Sequence, residues 1–92
     1  MYELVYYDVS FPSSDIVVRD ENDKPTLVRI YPDGEVRIWE DIRLDLYFER
    51  CIGDVERLLR IPRMEFETFD EVIDFLRRKI EEKFGFEINL RR

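Results

Sequence analysis

A single segment, Tyr31-Pro32-Asp33-Gly34-Glu35, restricts the possible folds of this 92-residue chain more than any other feature. Proline presets the backbone angle of the first turn position, and glycine accepts the left-handed conformation that follows. The runs on either side, Thr26–Tyr31 and Glu35–Trp39, alternate apolar with polar residues, as strands do. The segment therefore predicts a tight antiparallel hairpin.

The turn also fixes how the two strands of this hairpin pair, and so divides their side chains between the two faces of a sheet. We predict that one face carries two apolar pairs, Val28 opposite Ile38 and Ile30 opposite Val36. The other face would carry a mixed set: Leu27, Arg29, Tyr31, Arg37 and Trp39. Aromatic residues and arginine are enriched at protein interfaces. This mixed set is the candidate protein interface, unless another part of the chain covers it.

Other segments extend the hairpin into a sheet. Residues 2–11 alternate in a strand pattern, residues 16–19 form a short β-branched run, and residues 63–67 are a further short candidate. We therefore predict an antiparallel β-meander sheet of about four to five strands. Phe86, Ile88 and Leu90 alternate near the end of the chain and predict a short closing strand.

The clearest helix signal is the segment Thr68-Phe69-Asp70-Glu71, which has the sequence of a capping box. Apolar residues then recur at helical spacing as far as Phe84, and Gly85 stands where a glycine commonly ends a helix. The pattern predicts a long amphipathic C-terminal helix.

Residues 41–60 carry two competing patterns. Residues 42–48 alternate like a strand, whereas the apolar residues from Leu44 to Leu59 fall on one arc of a helix. We favour a helix over Tyr47–Arg60 and leave residues 42–46 open between strand and helix. The fold class is then α+β, with two helices packed on one face of the antiparallel sheet, in a single domain spanning residues 1–92.

The composition excludes several classes of enzyme. The chain has no histidine, so Ser-His-Asp and Cys-His catalysis and histidine metal ligands are ruled out. Its three glycines are isolated in sequence, so neither a P-loop nor a dinucleotide-binding glycine run is present. The one cysteine, Cys51, falls on the apolar arc of the predicted helix, and we expect it to lie in the core. We expect no enzymatic activity and no cofactor.

Carboxylates are the remaining candidates for metal chemistry, and they are densest before the C-terminal helix. Glu65, Glu67 and Asp70 are weak candidates for a divalent-metal site, which a phosphodiesterase could use without histidine. Acidic residues are also favourable at the start of any helix, where Glu71 already has a capping role. We prefer this second interpretation and expect no bound metal.

The net charge and the positions of the basic residues indicate which partners the chain could bind. The net charge of −7 opposes binding to nucleic acid and to anionic membranes unless the basic residues cluster. The basic residues that could cluster lie on or next to the two predicted helices: Arg57, Arg60, Arg63, Arg77 and Arg78. If the helices pack side by side, these form one arginine ridge that could bind phosphates. The alternative is that each arginine pairs locally with a carboxylate.

Together these features favour a small, non-catalytic protein-interaction module whose partner is a second copy of itself or another protein. Nucleic-acid binding through the arginine ridge is the second hypothesis, and a metal-dependent phosphodiesterase using carboxylates is the third. The longest apolar run, Leu4–Tyr7, is far too short for a membrane helix. With no recognisable signal peptide, we expect a cytoplasmic protein without a membrane partner. Dense opposite charges with few thermolabile residues are typical of thermophilic proteins.

Overall fold

The computed structural model describes residues 1–91, which form an α+β fold around one antiparallel sheet. The five strands are β1 (Tyr2–Asp8), β2 (Ser14–Arg19), β3 (Pro25–Ile30), β4 (Val36–Trp39) and β5 (Glu65–Phe66). Their order in the sheet is β4-β3-β2-β1-β5, so that β4 and β5 are the two edge strands. The predicted α+β class and antiparallel sheet are confirmed. Across this described range, no helix has the length and apolar character needed to cross a membrane.

Helical segments lie between β4 and β5 and after β5. They are α1 (Leu44–Tyr47), which continues into a π-helical turn (Phe48–Ile52), α2 (Glu56–Leu59) and α3 (Phe69–Phe84). The Oγ1 atom of Thr68 accepts a hydrogen bond of 3.2 Å from the N–H of Glu71 at the start of α3. At the other end, Gly85 has a φ of 75° and donates its N–H to the carbonyl of Glu81. The predicted capped C-terminal helix is therefore confirmed at both ends.

The β3–β4 hairpin has the predicted register, with Val28 opposite Ile38. Gly34 in its turn has a φ of 94°, which a residue with a side chain rarely adopts. A Cβ atom at this position would lie 2.0 Å from the backbone oxygen of Asn89, because the C-terminal tail passes directly against the turn. Glycine is thus required here for two reasons, the backbone angle and the close approach of the tail.

The helices cover opposite faces of the sheet, which corrects the expectation that both pack on one face. On one face, α3 closes the larger core, which includes Ile16, Val18, Val28, Ile30, Phe66, Val72, Ile73, Leu76 and Ile80. On the other, the segment from α1 to α2 closes a second core of Tyr6, Val17, Leu27, Tyr47 and Ile52. The reason lies in β2, whose three consecutive apolar residues 16–18 are all buried. A strand that is apolar on both sides must be covered on both sides.

Strand β1 departs from simple alternation because it contains a β-bulge. Leu4 pairs with Val18 and Tyr6 pairs with Val17, so one extra residue of β1 lies between the two pairs. The bulge turns Leu4 toward α3 and Tyr6 toward the second core, although strict alternation would put both on one face. The strand ends at Asp8, before the predicted limit at residue 11.

The predicted helix over Tyr47–Arg60 is broken into short pieces. α1 begins at Leu44, so part of the undecided stretch 42–46 is helical. Gly53, with a φ of 71°, ends the π-helical turn, and its N–H bonds to the carbonyl five residues earlier. The wider π-turn rotates the residues that follow relative to an α-helical arc. Consequently Cys51 is exposed, which corrects the expectation that it lies in the core.

The predicted closing strand is not a strand in the described part of the chain. After Gly85 the backbone makes one isolated parallel bridge, between Glu35 and Arg91. Ile88 is nevertheless buried in the larger core, and Leu90 packs against it. The apolar alternation therefore identifies residues that contact the core, but these residues lie in an irregular tail and not in a strand.

Candidate functional site: the hairpin and its free edge

The structure separates the five residues of the candidate interface into buried and accessible positions. Leu27 is buried in the second core, beneath the segment that begins with α1. The Arg29 guanidinium carbon lies 5.3 Å from the ring centre of Trp39, and that of Arg37 lies 5.2 Å from the ring centre of Tyr31. Both distances are typical of cation–π contacts. The surface that remains is a pair of arginine–aromatic stacks, in which the Trp39 residue is 38% exposed.

A partly buried ionic network holds Arg29 in place. Its Nε and Nη2 atoms donate to the two carboxylate oxygens of Asp15 over 2.7 and 2.9 Å, and the hydroxyl of Tyr47 donates to the same carboxylate over 2.8 Å. The hydrogen bonds from Arg29 to Asp15 raise the pKa of the guanidinium. Burial, reinforced by the negative charge of Asp15, raises the pKa of Tyr47 well above its usual value. The network thus joins α1 to β2 and β3 and fixes the arginine on which Trp39 stacks.

The outer edge of β4 is the least covered part of the sheet. The N–H of Tyr31 donates to the carbonyl of Glu35 over 2.9 Å, and this bond sets the alternation along the hairpin. Arg37 therefore turns its backbone N–H and C=O toward β3, and Ile38 turns its own toward the outside. Within residues 1–91, the tail reaches this edge at Glu35 through Arg91, and no further backbone partner approaches Ile38. The Ile38 residue is itself 43% exposed.

The opposite edge of the sheet is different. β5 has two residues, of which Glu65 is exposed and Phe66 is buried. A short edge strand that presents a charged side chain resists pairing with another chain. Within residues 1–91, β4 lacks this protection along Ile38 and Trp39, which form the open edge of the sheet.

The five arginines of the predicted ridge do not form one row. Arg57 forms an ion pair of 2.8 Å with Asp8, at the end of β1. Arg63 lines a surface depression with Glu3, near the start of the same strand. The two arginines are therefore separated by the length of β1.

Arg77 and Arg78 are engaged on the surface of α3. Both form ion pairs with Asp74, and Arg77 also bonds to Glu81 over 2.9 Å. The hydrogen bond from Arg77 holds the pKa of Asp74 below its usual value. These contacts match the local-pairing alternative rather than a phosphate-binding ridge.

Arg60 lies in a groove that also contains Lys79 and Lys83. This groove lies between α3 and the end of β1, and its charged residues are Arg60, Lys79, Lys83, Asp8 and Glu82. Lys83 donates to the backbone carbonyl of Val9 over 2.6 Å, and Lys79 lies 3.6 Å from Glu82. The groove thus gathers three cations beside two carboxylates, which leaves a small local positive excess on an acidic protein.

The candidate metal ligands lie around the start of α3. The backbone N–H of Glu67 donates to a carboxylate oxygen of Glu71 over 2.9 Å, so Glu71 stabilises the helix start. In the described part of the chain, no three acidic or cysteine side chains converge as metal ligands do, and Glu65, Glu67 and Asp70 form no such group. The geometry therefore gives the phosphodiesterase hypothesis no support.

The sequence did not indicate an apolar cavity of about 240 Å³ at the turn end of the hairpin. Its wall includes aromatic residues from three separate regions: Phe11, Tyr31, Phe84 and Phe86. Phe11 is 78% exposed, and the rings of Phe84 and Phe86 stack with their centres 6.1 Å apart. Each of these residues ends or follows an element, so no periodic pattern marked them as one site.

In comparisons with known proteins, no family model matches this chain, and no curated protein or solved structure matches it significantly. Its function is therefore inferred from the surfaces described above.

Proposed function

We propose that this protein is a small, non-catalytic protein-interaction module that forms a homodimer through the β3–β4 hairpin. The observation that carries the proposal is the open outer edge of β4. Along this edge, Ile38 is exposed on the α3 side of the sheet and Trp39 on the opposite side.

Natural sheets usually protect their edges with charges, prolines, bulges or covering loops, because an unprotected edge pairs readily with another chain. The β5 edge has such protection, and β4, within residues 1–91, lacks it along Ile38 and Trp39. Strand addition at a free edge is a common way for proteins to bind. Two identical edges related by a twofold axis satisfy each other, which makes a homodimer the simplest partner.

Light scattering at tens of micromolar tests this proposal. We expect the wild type to have about twice the 11.3 kDa mass of one chain. Ile38→Glu introduces a charge at the exposed edge and should give a folded monomer, as judged by circular dichroism. Leu59→Glu is the matched control, because Leu59 is 86% exposed on α2, away from the hairpin, and its substitution should leave the dimer intact. A wild type that stays at the mass of one chain at every concentration contradicts the proposal.

Nucleic-acid binding is the second candidate function, favoured by the convergence of Arg60, Lys79 and Lys83 on one groove. Asp8 and Glu82 in the same groove, and the net charge of −7, oppose it.

A gel shift across a salt series distinguishes the two functions. We expect no binding to DNA or RNA at physiological salt. Binding that falls steeply with salt, is lost in the double variant Arg60→Glu, Lys79→Glu, and survives Arg43→Glu would place nucleic-acid binding first. Arg43 is a suitable control because it lies next to α1, where it pairs with Asp45 over 2.7 Å.

A further inference from the structure

The open edge of β4 restricts how two copies of the chain can join, because its free backbone groups and its neighbours are fixed. Ile38 presents its N–H and C=O outward, whereas the flanking Arg37 and Trp39 present theirs to β3. An incoming strand must therefore bond to Ile38.

We propose that two copies pair β4 with β4 antiparallel, about a twofold axis that passes beside Ile38, so that Ile38 of each copy bonds to Ile38 of the other. This inference rests on the proposed function, since it specifies the contact of the same dimer. The two five-stranded sheets then continue as one sheet of about ten strands, a size that twisted sheets still accommodate.

A twofold axis beside Arg37 is disfavoured for two reasons. It would set the Arg37 guanidinium groups of the two copies directly opposite each other, and like charges in that position destabilise a strand pair. It would also bring Trp39 of the second copy opposite Glu35, where the tail residue Arg91 already bridges to the strand.

A twofold axis beside Trp39 leaves too little strand to pair. β4 ends at Trp39, and the chain turns away at Asp41, which has a φ of 52°. After this turn, the N–H of Ile42 bonds to the carbonyl of Pro25. In this register, Trp39 is the one residue that faces a β4 residue of the other copy. The register centred on Ile38 instead pairs residues 37, 38 and 39 with residues 39, 38 and 37.

The register centred on Ile38 also matches the side chains on both faces. On the α3 side, the two exposed Ile38 side chains meet and remove each other from water. On the other side, Arg37 of each copy lies beside Trp39 of the other. Arg37 already stacks on Tyr31, and Trp39 already stacks on Arg29, so the dimer extends two cation–π contacts into one continuous row.

Disulfide trapping distinguishes the three registers. Three single variants, Arg37→Cys, Ile38→Cys and Trp39→Cys, are made in a Cys51→Ser background, because Cys51 is exposed and could form disulfides itself. Each new cysteine faces its own copy in one of the three registers, where opposed Cα atoms lie within disulfide range. With oxidised glutathione, we expect the Ile38→Cys variant to become mainly a covalent dimer while the other two remain mainly monomeric on a non-reducing gel.

A nuclear Overhauser measurement on the wild-type sequence gives a second readout that does not depend on a substitution. In a mixture of labelled and unlabelled chains, a filtered spectrum should show a contact between the Hα atoms of Arg37 and of Trp39 in the other copy. These two protons are too far apart within one strand to give this signal.

Each other outcome contradicts the register or the pairing. Preferential trapping of Arg37→Cys or Trp39→Cys overturns the register, while the hairpin dimer stands. If the wild type is a dimer but lacks the filtered contact, and none of the three cysteine variants forms a covalent dimer, β4 pairing is overturned. A wild type that is monomeric by light scattering overturns the proposed function and this inference together.

Discussion

The two faces of the sheet are covered in different ways. One lies under α3, a single 16-residue helix that is capped at both ends and contributes five buried residues. The other lies under α1, a π-helical turn and a single-turn helix, which together contribute Tyr47 and Ile52 as their buried residues. This broken cover reaches Leu27 on β3 and leaves much of β4 exposed. The continuous helix therefore closes the larger core, while neither cover reaches the outer part of β4, where Ile38 on the α3 side and Trp39 on the other side stay exposed.

The largest expected difference between the faces concerns their cores. Leu76→Ala removes a side chain that is fully buried under α3 and should lower the free energy of unfolding by about 2–5 kcal/mol. Ile52→Ala, at the end of the π-helical turn, should cost less, because the irregular segment above it relaxes more readily into the space. Urea titration of both variants measures the difference. An equal or larger loss for Ile52→Ala would mean that the second face contributes as much as the first.

The next effect concerns the hydrogen bond that anchors the broken cover. Tyr47→Phe removes the hydroxyl that donates to Asp15 and should cost roughly 1.5–3 kcal/mol, as expected for a bond to a charged group. Urea titration measures this loss. Tyr7→Phe is a matched control, because Tyr7 packs at its ring edge on Phe75 on the other face and should change stability little. Equal stability of Tyr47→Phe and wild type would show that α1 is held by packing alone.

The same tyrosine predicts a pH dependence. Burial raises the pKa of Tyr47 in the folded state, so the folded protein keeps the proton that the unfolded chain releases above about pH 10. Below that pH, the contribution of the protonated Tyr47 to the free energy of unfolding is fully present. As the pH rises further, the free energy of unfolding falls by about 1.4 kcal/mol per pH unit. Tyr47→Phe should show a shallower alkaline decline in urea titrations. Identical slopes for the two proteins would contradict the buried position of this hydroxyl.

The smallest effect concerns the start of α3. Thr68→Ala removes the side-chain cap on the N–H of Glu71 and should cost about 0.5–2 kcal/mol. Thr68→Ser keeps the hydroxyl and should retain most of the stability, as measured by thermal unfolding of both variants. If both variants lose the same stability, the contribution comes from the threonine methyl group and not from the cap.

Short-range chemistry explains which parts of the fold the sequence predicts. The register of the hairpin follows from the turn at Gly34, and α3 follows from the cap at Thr68 and the apolar repeat behind it. The helix ending at Gly53 was only partly predicted, because its α-helical arc gives way to a π-turn that no apolar period indicates. The bulge in β1 after Leu4 depends on pairing with β2, which lies outside any local window.

The candidate site depends still more on tertiary structure. Arg37 and Trp39 were identified from their residue types, but Ile38 was assigned to a covered face because it alternates with them. Its exposure follows from the position of β4 at the edge and from the place of the Arg91 bridge, which within the described residues lies at Glu35 and not at Ile38. Leu27 is a predicted interface residue, but it is buried. The segment from α1 to α2 covers its face of the sheet, whereas the sequence pattern predicts this segment on the opposite face.

Amide hydrogen exchange at Arg37 and Ile38 tests the central claim most directly. The N–H of Arg37 bonds to β3 within one chain and should be protected at every concentration, whereas the N–H of Ile38 acquires a partner only when two β4 strands pair. We therefore predict that the Ile38 amide is protected in a concentrated sample and loses that protection on dilution, while Arg37 does not change. An Ile38 amide that exchanges as fast as in an unstructured peptide at all concentrations, beside a protected Arg37, would contradict the account.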